Sequence, residues 1–326
     1  MVSVSVSVEG MFGLTWPLWR RLVAAVEELG FAGLFRSDHF TLPFPVDLDS
    51  LEAVVSLTYA AEHTSRVHFG PLVAPLSFRD PVMLARQAAA LDDLSDGRLV
   101  LGLGAGWMDR EHEMFGYPLG DIGARFARFG EGLAVITGLL RGEGPVSFEG
   151  EFCRLRDAVL LPRPARPGGP PILIGGSGPR RTLPLVARYA DIWNGQLLTP
   201  AEYADRNTVL DGLIRDAGRR PEQVRRTMAM VAICGRDPAE VEARLDWLRR
   251  TVPMFATMPL PELTGLFQQS VGAFIGTTEE LTGQLRDYAA AGADEIILQW
   301  AGMDDIAGLT VLAEQVLPAL TDPARA

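Results

Sequence analysis

Cysteine, histidine and positive charge are scarce in this chain. Its two cysteines, Cys153 and Cys234, lie far apart and show no metal-type spacing. That argues against a disulfide scaffold or a zinc site, leaves no metal expected, and fits a reducing interior. Thirty basic residues stand against 41 acidic ones, a balance of 30 − 41 = −11. A surface so acidic disfavours nucleic acid as a partner. No run is long and apolar enough to span a bilayer, so no membrane partner is expected. The first eight residues, Met1-Val-Ser-Val-Ser-Val-Ser-Val8, alternate as a strand does and lack the basic-then-apolar pattern of a secretory signal. A cytoplasmic location follows as the default. There is no Gly-x-Ser-x-Gly elbow of a serine hydrolase. No His-x-His pair follows the first strand, which weakens a metal-dependent barrel hydrolase.

What is present is a 326-residue chain, 48% apolar and 22% charged, composed as a globular protein with a large core. Strand and helix patterns alternate from end to end. Strands are predicted at 2–8, 32–35, 67–73, 98–103, 171–174, 190–193, 225–233 and 295–299, with helices between them and a small hairpin around Glu149-Gly150-Glu151. Glycine closes the helices before three of these strands, at Gly30, Gly97 and Gly292, through a left-handed turn. Alternation of this kind builds a parallel sheet. A doubly wound open sheet would read the same way. Eight strands can close on themselves and no composition shift marks a second domain, so the preferred fold is α/β, a single (β/α)8 TIM barrel over 1–326. Residues 252–275 fit no clean period and are read as an insertion or lid near the C-terminal strands.

Chemistry in a barrel sits at the C-terminal strand ends. Ser37-Asp38-His39 follows the second strand, and only four histidines occur in the chain. His39 can serve as a general acid or base, with Asp38 orienting it or a ring N–H; alternatively Asp38 caps the next segment and His39 packs against the loop. Gly102-Leu103-Gly104-Ala105-Gly106-Trp107 ends the fourth strand, where small residues allow close approach to the backbone or simply make a tight turn. Ile174-Gly175-Gly176-Ser177-Gly178-Pro179-Arg180-Arg181 runs from a strand through a glycine bend into a helix with Pro179 at its first position. Free amides at such a bend bind phosphate, and the two arginines add positive charge. Phe69-Gly70-Pro71-Leu72-Val73 ends the third strand and could buttress a ring or belong to the core. Asp109-Arg110-Glu111-His112-Glu113 reads as a short solvated helix.

Taken in order, Ser37-Asp38-His39-Phe40, Ser77-Phe78-Arg79-Asp80-Pro81, Leu94-Ser95-Asp96-Gly97-Arg98, Gly102–Trp107, and Gly175–Gly178 with Tyr189-Ala190-Asp191-Ile192-Trp193-Asn194 resemble the bacterial luciferase-like superfamily. More narrowly they resemble its F420-dependent oxidoreductases, over nearly the whole chain. The resemblance implies a barrel with a deazaflavin or flavin lying across the strand ends. It implies Asp38 and His39 at the ring, and an unusual bulge or cis peptide behind it at Pro71, Leu72 and Val73. It implies Ala105, Gly106 and Arg110 touching the cofactor from the fourth strand, and Gly175, Gly176, Ser177 and Gly178 taking its phosphate. It also implies a homodimer and a separate cofactor-reducing enzyme. The sugar-phosphate dehydrogenases of that group carry a glutamate where Trp107 stands here, which points to a less polar small-molecule substrate. Phe12 and Trp107, with Met11, Phe255 and Met258, are candidate pocket walls. The expected activity is hydride transfer between F420 and an apolar or aromatic molecule. An FMN-dependent monooxygenase using reduced flavin and oxygen is the alternative within the superfamily, and a non-catalytic flavin-binding barrel is the alternative outside enzymology.

Overall fold

The computed structural model describes residues 2–321; Met1 and the last five residues of the 1–326 span lie outside the described residues. β1 (Ser3–Val8) is followed by α1 (Trp16–Glu28), β2 (Gly33–Arg36), α2 (Ala53–His63), β3 (His68–Pro71), β4 (Ala74–Pro75), α3 (Pro81–Leu94) and β5 (Leu101–Gly104). Then come α4 (Asp109–Phe115), α5 (Ile122–Arg141) and an antiparallel hairpin of β6 (Val146–Glu149) and β7 (Arg154–Ala158). β8 (Ile172–Gly175), α6 (Thr182–Tyr189), β9 (Ile192–Gln196), α7 (Pro200–Asp216) and β10 (Arg225–Gly235) continue the alternation. The chain closes through α8 (Pro238–Thr251), α9 (Leu260–Val271), β11 (Phe274–Thr277), α10 (Thr278–Ala290), β12 (Glu295–Trp300), α11 (Ile306–Gln315) and α12 (Leu317–Thr321).

The strands pair in parallel in the order β3-β2-β1-β12-β10-β9-β8-β5-β4. The sheet closes where Phe69 N donates to Arg98 O at 3.1 Å and Val100 N donates to Phe69 O at 2.8 Å. β3 and β4 are therefore two halves of one barrel strand, so the path fills eight barrel positions. They part at Leu72–Val73, whose peptide bond is cis. The preferred closed barrel is the observed fold.

Period-2 alternation decides what each face buries. Along β1, Val4, Val6 and Val8 join Leu22, Val26 and Leu309 in the core between sheet and helices. The intervening serines face the axis. The axis itself is filled by Phe35, Val100, Leu173, Ile192 and Ile297, with Leu72, Val73 and Ala229 packed against them. Gly30, Gly97 and Gly292 turn the helices toward their strands at φ of 88°, 82° and 97°, as the sequence predicts.

The 252–275 stretch holds a 3-10 turn at Pro253–Phe255, α9 and the start of β11. β11 runs parallel to the upper half of β10, from Ala232↔Phe274 to Gly235↔Thr277. β10 thus rises above the barrel, and the end of this stretch docks on that extension. α6 begins at Thr182, three residues after the expected Pro179. The glycine bend is correspondingly longer than the sequence suggests.

The lower end of the axis is plugged by a buried polar cluster. Glu295 bonds His68 Nε2 at 2.9 Å and Arg225 Nη2 at 2.5 Å, and also accepts from the Ser5 hydroxyl. Burial pushes the Glu295 carboxyl up, but His68, Arg225 and Ser5 outweigh it and hold the group below the ordinary carboxylate range. A depressed folded value contributes stability above the unfolded value of about 4.3 and loses it as pH falls through the folded one. Glu295→Gln should cost about 2 kcal/mol at neutral pH in urea denaturation, because it removes the charged acceptor that His68, Arg225 and Ser5 share. The wild-type advantage over this variant should shrink steadily once pH drops below about 4.3; a pH-independent difference would contradict this.

Candidate active site

Three strand ends share one wall at the barrel mouth. A Cβ on Gly104 would lie 2.5 Å from Val73 Cγ2, and one on Gly175 would lie 3.1 Å from Val73 Cγ1. Glycine at both positions leaves bare backbone around the Val73 side chain. Gly106 has φ 81°, and a Cβ there would collide with Ser77 Oγ. That hydroxyl is buried and has no hydrogen-bond partner. The ends of β4, β5 and β8 thus meet, and Pro71, Leu72, Val73, Ala105 and Gly106 line one continuous rim.

The Asp38–His39 step lies beside this rim, with its two side chains held by different partners. Ser37 Oγ accepts from Gly10 N at 3.0 Å, tying the end of β2 to the end of β1. Asp38 receives Arg79 Nε at 2.8 Å and Arg79 Nη2 at 2.7 Å, and the same guanidinium reaches Glu52 at 2.6 Å. This bidentate fork occupies both Asp38 oxygens. His39 Nδ1 lies 3.0 and 3.1 Å from the two oxygens of Glu111. Glu111 also accepts from Phe40 N at 3.2 Å. The Trp107 ring meets His39 edge-on, centroids 5.6 Å apart and planes at 77°.

Burial alone would depress the His39 imidazole. The hydrogen bond and charge of Glu111, with the charges of Glu9 and Asp38, outweigh it and hold the ring above its ordinary pKa. Glu9 directly follows β1, and its Oε2 is buried without a partner.

Glu111 is the residue that sequence reading missed. The 109–113 stretch is solvated on one face only: Asp109 and Glu113 are exposed, but Glu111 is 0% and His112 2% exposed. His112 Nδ1 bonds Met108 O at 2.7 Å, and its ring packs against Phe78. Five polar residues in a row hid a helix face. Met108, Glu111 and His112 stand at i, i+3 and i+4, a spacing that marks one side of α4 as inward. Glu111, not Asp38, hydrogen-bonds His39 here, and both Asp38 oxygens are bonded to Arg79.

Arg110 is committed to the loop after β2. Its Nη1 donates to Thr41 Oγ1 at 2.5 Å and Leu42 O at 2.9 Å, and its Nη2 to Asp47 at 2.8 Å. At the glycine bend, Ser177 Oγ donates to Gln196 O at 2.7 Å and accepts from Gln196 N at 3.0 Å. Gly176, at φ 121°, donates its N–H to Asn194 O. Among the described residues the amides of Ser177 and Gly178 have no acceptor. Arg180 and Arg181 are exposed.

The candidate pocket residues divide into two groups. Phe12 and Phe44 join Met11, Leu42 and Met108 on one side, and Val252, Phe255, Met258 and Leu263 on the other. The 252–263 stretch is therefore packed on the loops after β1 and β2. Trp107 stands apart, 54% exposed beside His39. A cleft of about 680 Å³ between α8 and α11, walled by Trp247, Trp300 and Arg244, shares none of these residues.

The family model described as luciferase-like monooxygenase matches residues 13–299. An F420-dependent glucose-6-phosphate dehydrogenase of Kineococcus radiotolerans is 30% identical over 312 residues, covering 90% of this chain and 90% of its own length. The F420-dependent hydroxymycolic acid dehydrogenase of Mycobacterium tuberculosis is 31% identical over 232 residues, covering 70% of this chain and 62% of its own. The solved structure of an F420-dependent secondary alcohol dehydrogenase with an F420–acetone adduct has the same fold. It matches with a TM-score of 0.80 at 21% identity, over 99% of this chain and 100% of that one.

Asp38 and Arg79 supply a test of the site's electrostatics. Arg79→Met leaves Asp38 buried and uncompensated, which should cost about 3 kcal/mol in chemical denaturation. Adding Asp38→Asn should restore a large part of that loss. Additive single effects would contradict the pairing.

Proposed function

The chain belongs to the luciferase-like monooxygenase family, and from that premise we propose that it is an F420-dependent oxidoreductase passing hydride between the cofactor and a small apolar or aromatic substrate. The observation that carries this reading is one titratable imidazole, His39, beside a strip of bare backbone at the barrel mouth. Relatives named as F420-dependent dehydrogenases support the cofactor.

The residues present fit such a group. The unspent amides of Ser177 and Gly178, in the bend from Gly175 through Gly176, would take the phosphate. Pro71, Leu72 and Val73 would back the ring, and Ala105 and Gly106, among the smallest residues of the rim, would flank it. The buried, unpartnered Ser77 hydroxyl supplies a further donor there. Arg110 would act by holding the 41–47 loop in place. Bound F420 supplies a hydride carrier with carbon where flavin has N5, which favours two-electron transfer over oxygen activation.

The protein's own share is orientation, water exclusion and a proton. Asp38 fixes the strand end through Arg79. His39 gives or takes the proton that accompanies hydride transfer. Phe12, Phe44 and Phe255 wall the mouth against solvent. Trp107 presents an exposed indole face beside His39, where the sugar-phosphate dehydrogenases carry glutamate, and this favours an apolar or aromatic substrate. We take the molecule to act as a homodimer, as the family resemblance implies. A separate enzyme would recycle the cofactor. Among the described residues no helix is long and apolar enough to cross a membrane, in keeping with a cytoplasmic site of action.

Titration of the cofactor-free protein with F420 and with FMN, followed by absorbance and fluorescence, separates the two cofactors. Saturable F420 binding is expected. Oxygen uptake with reduced FMN and no reaction with F420 would instead make it a flavin monooxygenase. His39→Ala should lower turnover by about a hundredfold or more while F420 still binds. Unchanged turnover would remove His39 from the chemistry.

A further inference from the structure

We infer that Glu111 is the positioning residue for proton exchange: it turns His39 Nδ1–H inward, so that Nε2 is the atom that gives or takes the proton at the substrate. The chemistry rests on the oxidoreductase reading above; the tautomer assignment rests on geometry alone.

Both oxygens of Glu111 lie within 3.1 Å of His39 Nδ1. An ionised carboxylate accepts hydrogen bonds and donates none. A neutral His39 in this geometry must therefore carry its proton on Nδ1. Nε2 makes no hydrogen bond among the described residues, and the side chain keeps 15% of its surface open. A ring flipped by 180° would press a C–H against a buried carboxylate and leave that charge short of a donor. Trp107, edge-on to the ring, helps fix its plane.

The carboxylate is itself fixed. It is 1% exposed and receives the Phe40 amide. No arginine bonds it among the described residues, so the imidazole is its one cationic partner. The charges that bear on His39 are Glu9 from the end of β1, Asp38 from its own strand end and Glu111 from α4. Asp38 is neutralised by Arg79 and Glu9 makes no hydrogen bond to the ring, which leaves Glu111 as the carboxylate bonded to it. A bland reading remains, in which Glu111 only staples the 39–40 turn to α4. The two readings differ in what happens to the imidazole when the charge is removed and the shape is kept.

The test uses nitrogen-15 NMR of the cofactor-free protein across a pH series. His39 is assigned by its loss in His39→Gln. In the wild type, the neutral form of His39 should carry its proton on Nδ1, with a midpoint above the ordinary value of about 6.5. Glu111→Gln should lower that midpoint by about one pH unit or more, equivalent to at least tenfold in proton affinity. In turnover, Glu111→Gln should cut kcat by about tenfold to a hundredfold and shift downward the limb of its pH profile that His39 sets, alkaline if His39 gives the proton and acid if it takes it, with KM and F420 affinity unchanged.

A wild-type neutral tautomer protonated on Nε2 would overturn the proposal, and that result needs no variant. An unmoved midpoint in a folded Glu111→Gln would overturn it too, leaving the staple. Failure to bind F420 would count against the oxidoreductase reading and leave the tautomer result standing.

Discussion

The chemistry of this molecule depends on Val73 filling the space that Gly104 and Gly175 leave at the barrel mouth. A parallel barrel of eight positions has a packed axis, so its mouth becomes a site only if something clears a shelf there. Here the third strand breaks into β3 and β4, and Val73 turns across the ends of β5 and β8. The neighbours answer with glycine because any Cβ would meet the valine. The result is a strip of half-buried residues, Val73, Ala105, Gly106 and Gly175, above an apolar plug. Such a strip suits a flat ring that needs close contact on one face.

Electrostatics is arranged around that shelf by separating neighbours. Asp38 and His39 are adjacent in the chain, yet each is held by a side chain from elsewhere. Arg79 takes Asp38 with two nitrogens and shares a third contact with Glu52. Glu111 takes His39. The chain contains no lysine, so every such cation is a guanidinium, whose planar fork suits bidentate pairing. Spending the arginine on Asp38 keeps the imidazole free to answer to one carboxylate. At the opposite end of the barrel, Glu295, His68 and Arg225 serve a different purpose. They close the axis below, so solvent reaches the shelf only from above.

The fold was legible because strand and helix periods are strong where one face is buried. The Ser-Val alternation of β1 and the glycine-closed helices report their own environment. The rim histidine, the glycine bend and the third-strand end were readable for the same reason, since each interrupts a pattern that must otherwise continue. Glu111 was not readable as a partner. Its helix has seven residues and its neighbours are charged, so composition masked an inward face that only the packing of Met108 and His112 reveals. β11 was hidden too, because four half-buried residues carry no period. The pairing of Asp38 with Arg79 is a contact across 41 residues, and nothing local encodes it.

The most direct measurement is a crystal structure of the protein with F420 bound. The account predicts the phosphate of the cofactor at hydrogen-bond distance from the Ser177 and Gly178 amides, about 3 Å. It predicts one face of the ring against Val73, and its reactive carbon on the side of His39 Nε2. A cofactor seated in the α8–α11 cleft, or with its tail remote from the glycine bend, would contradict it.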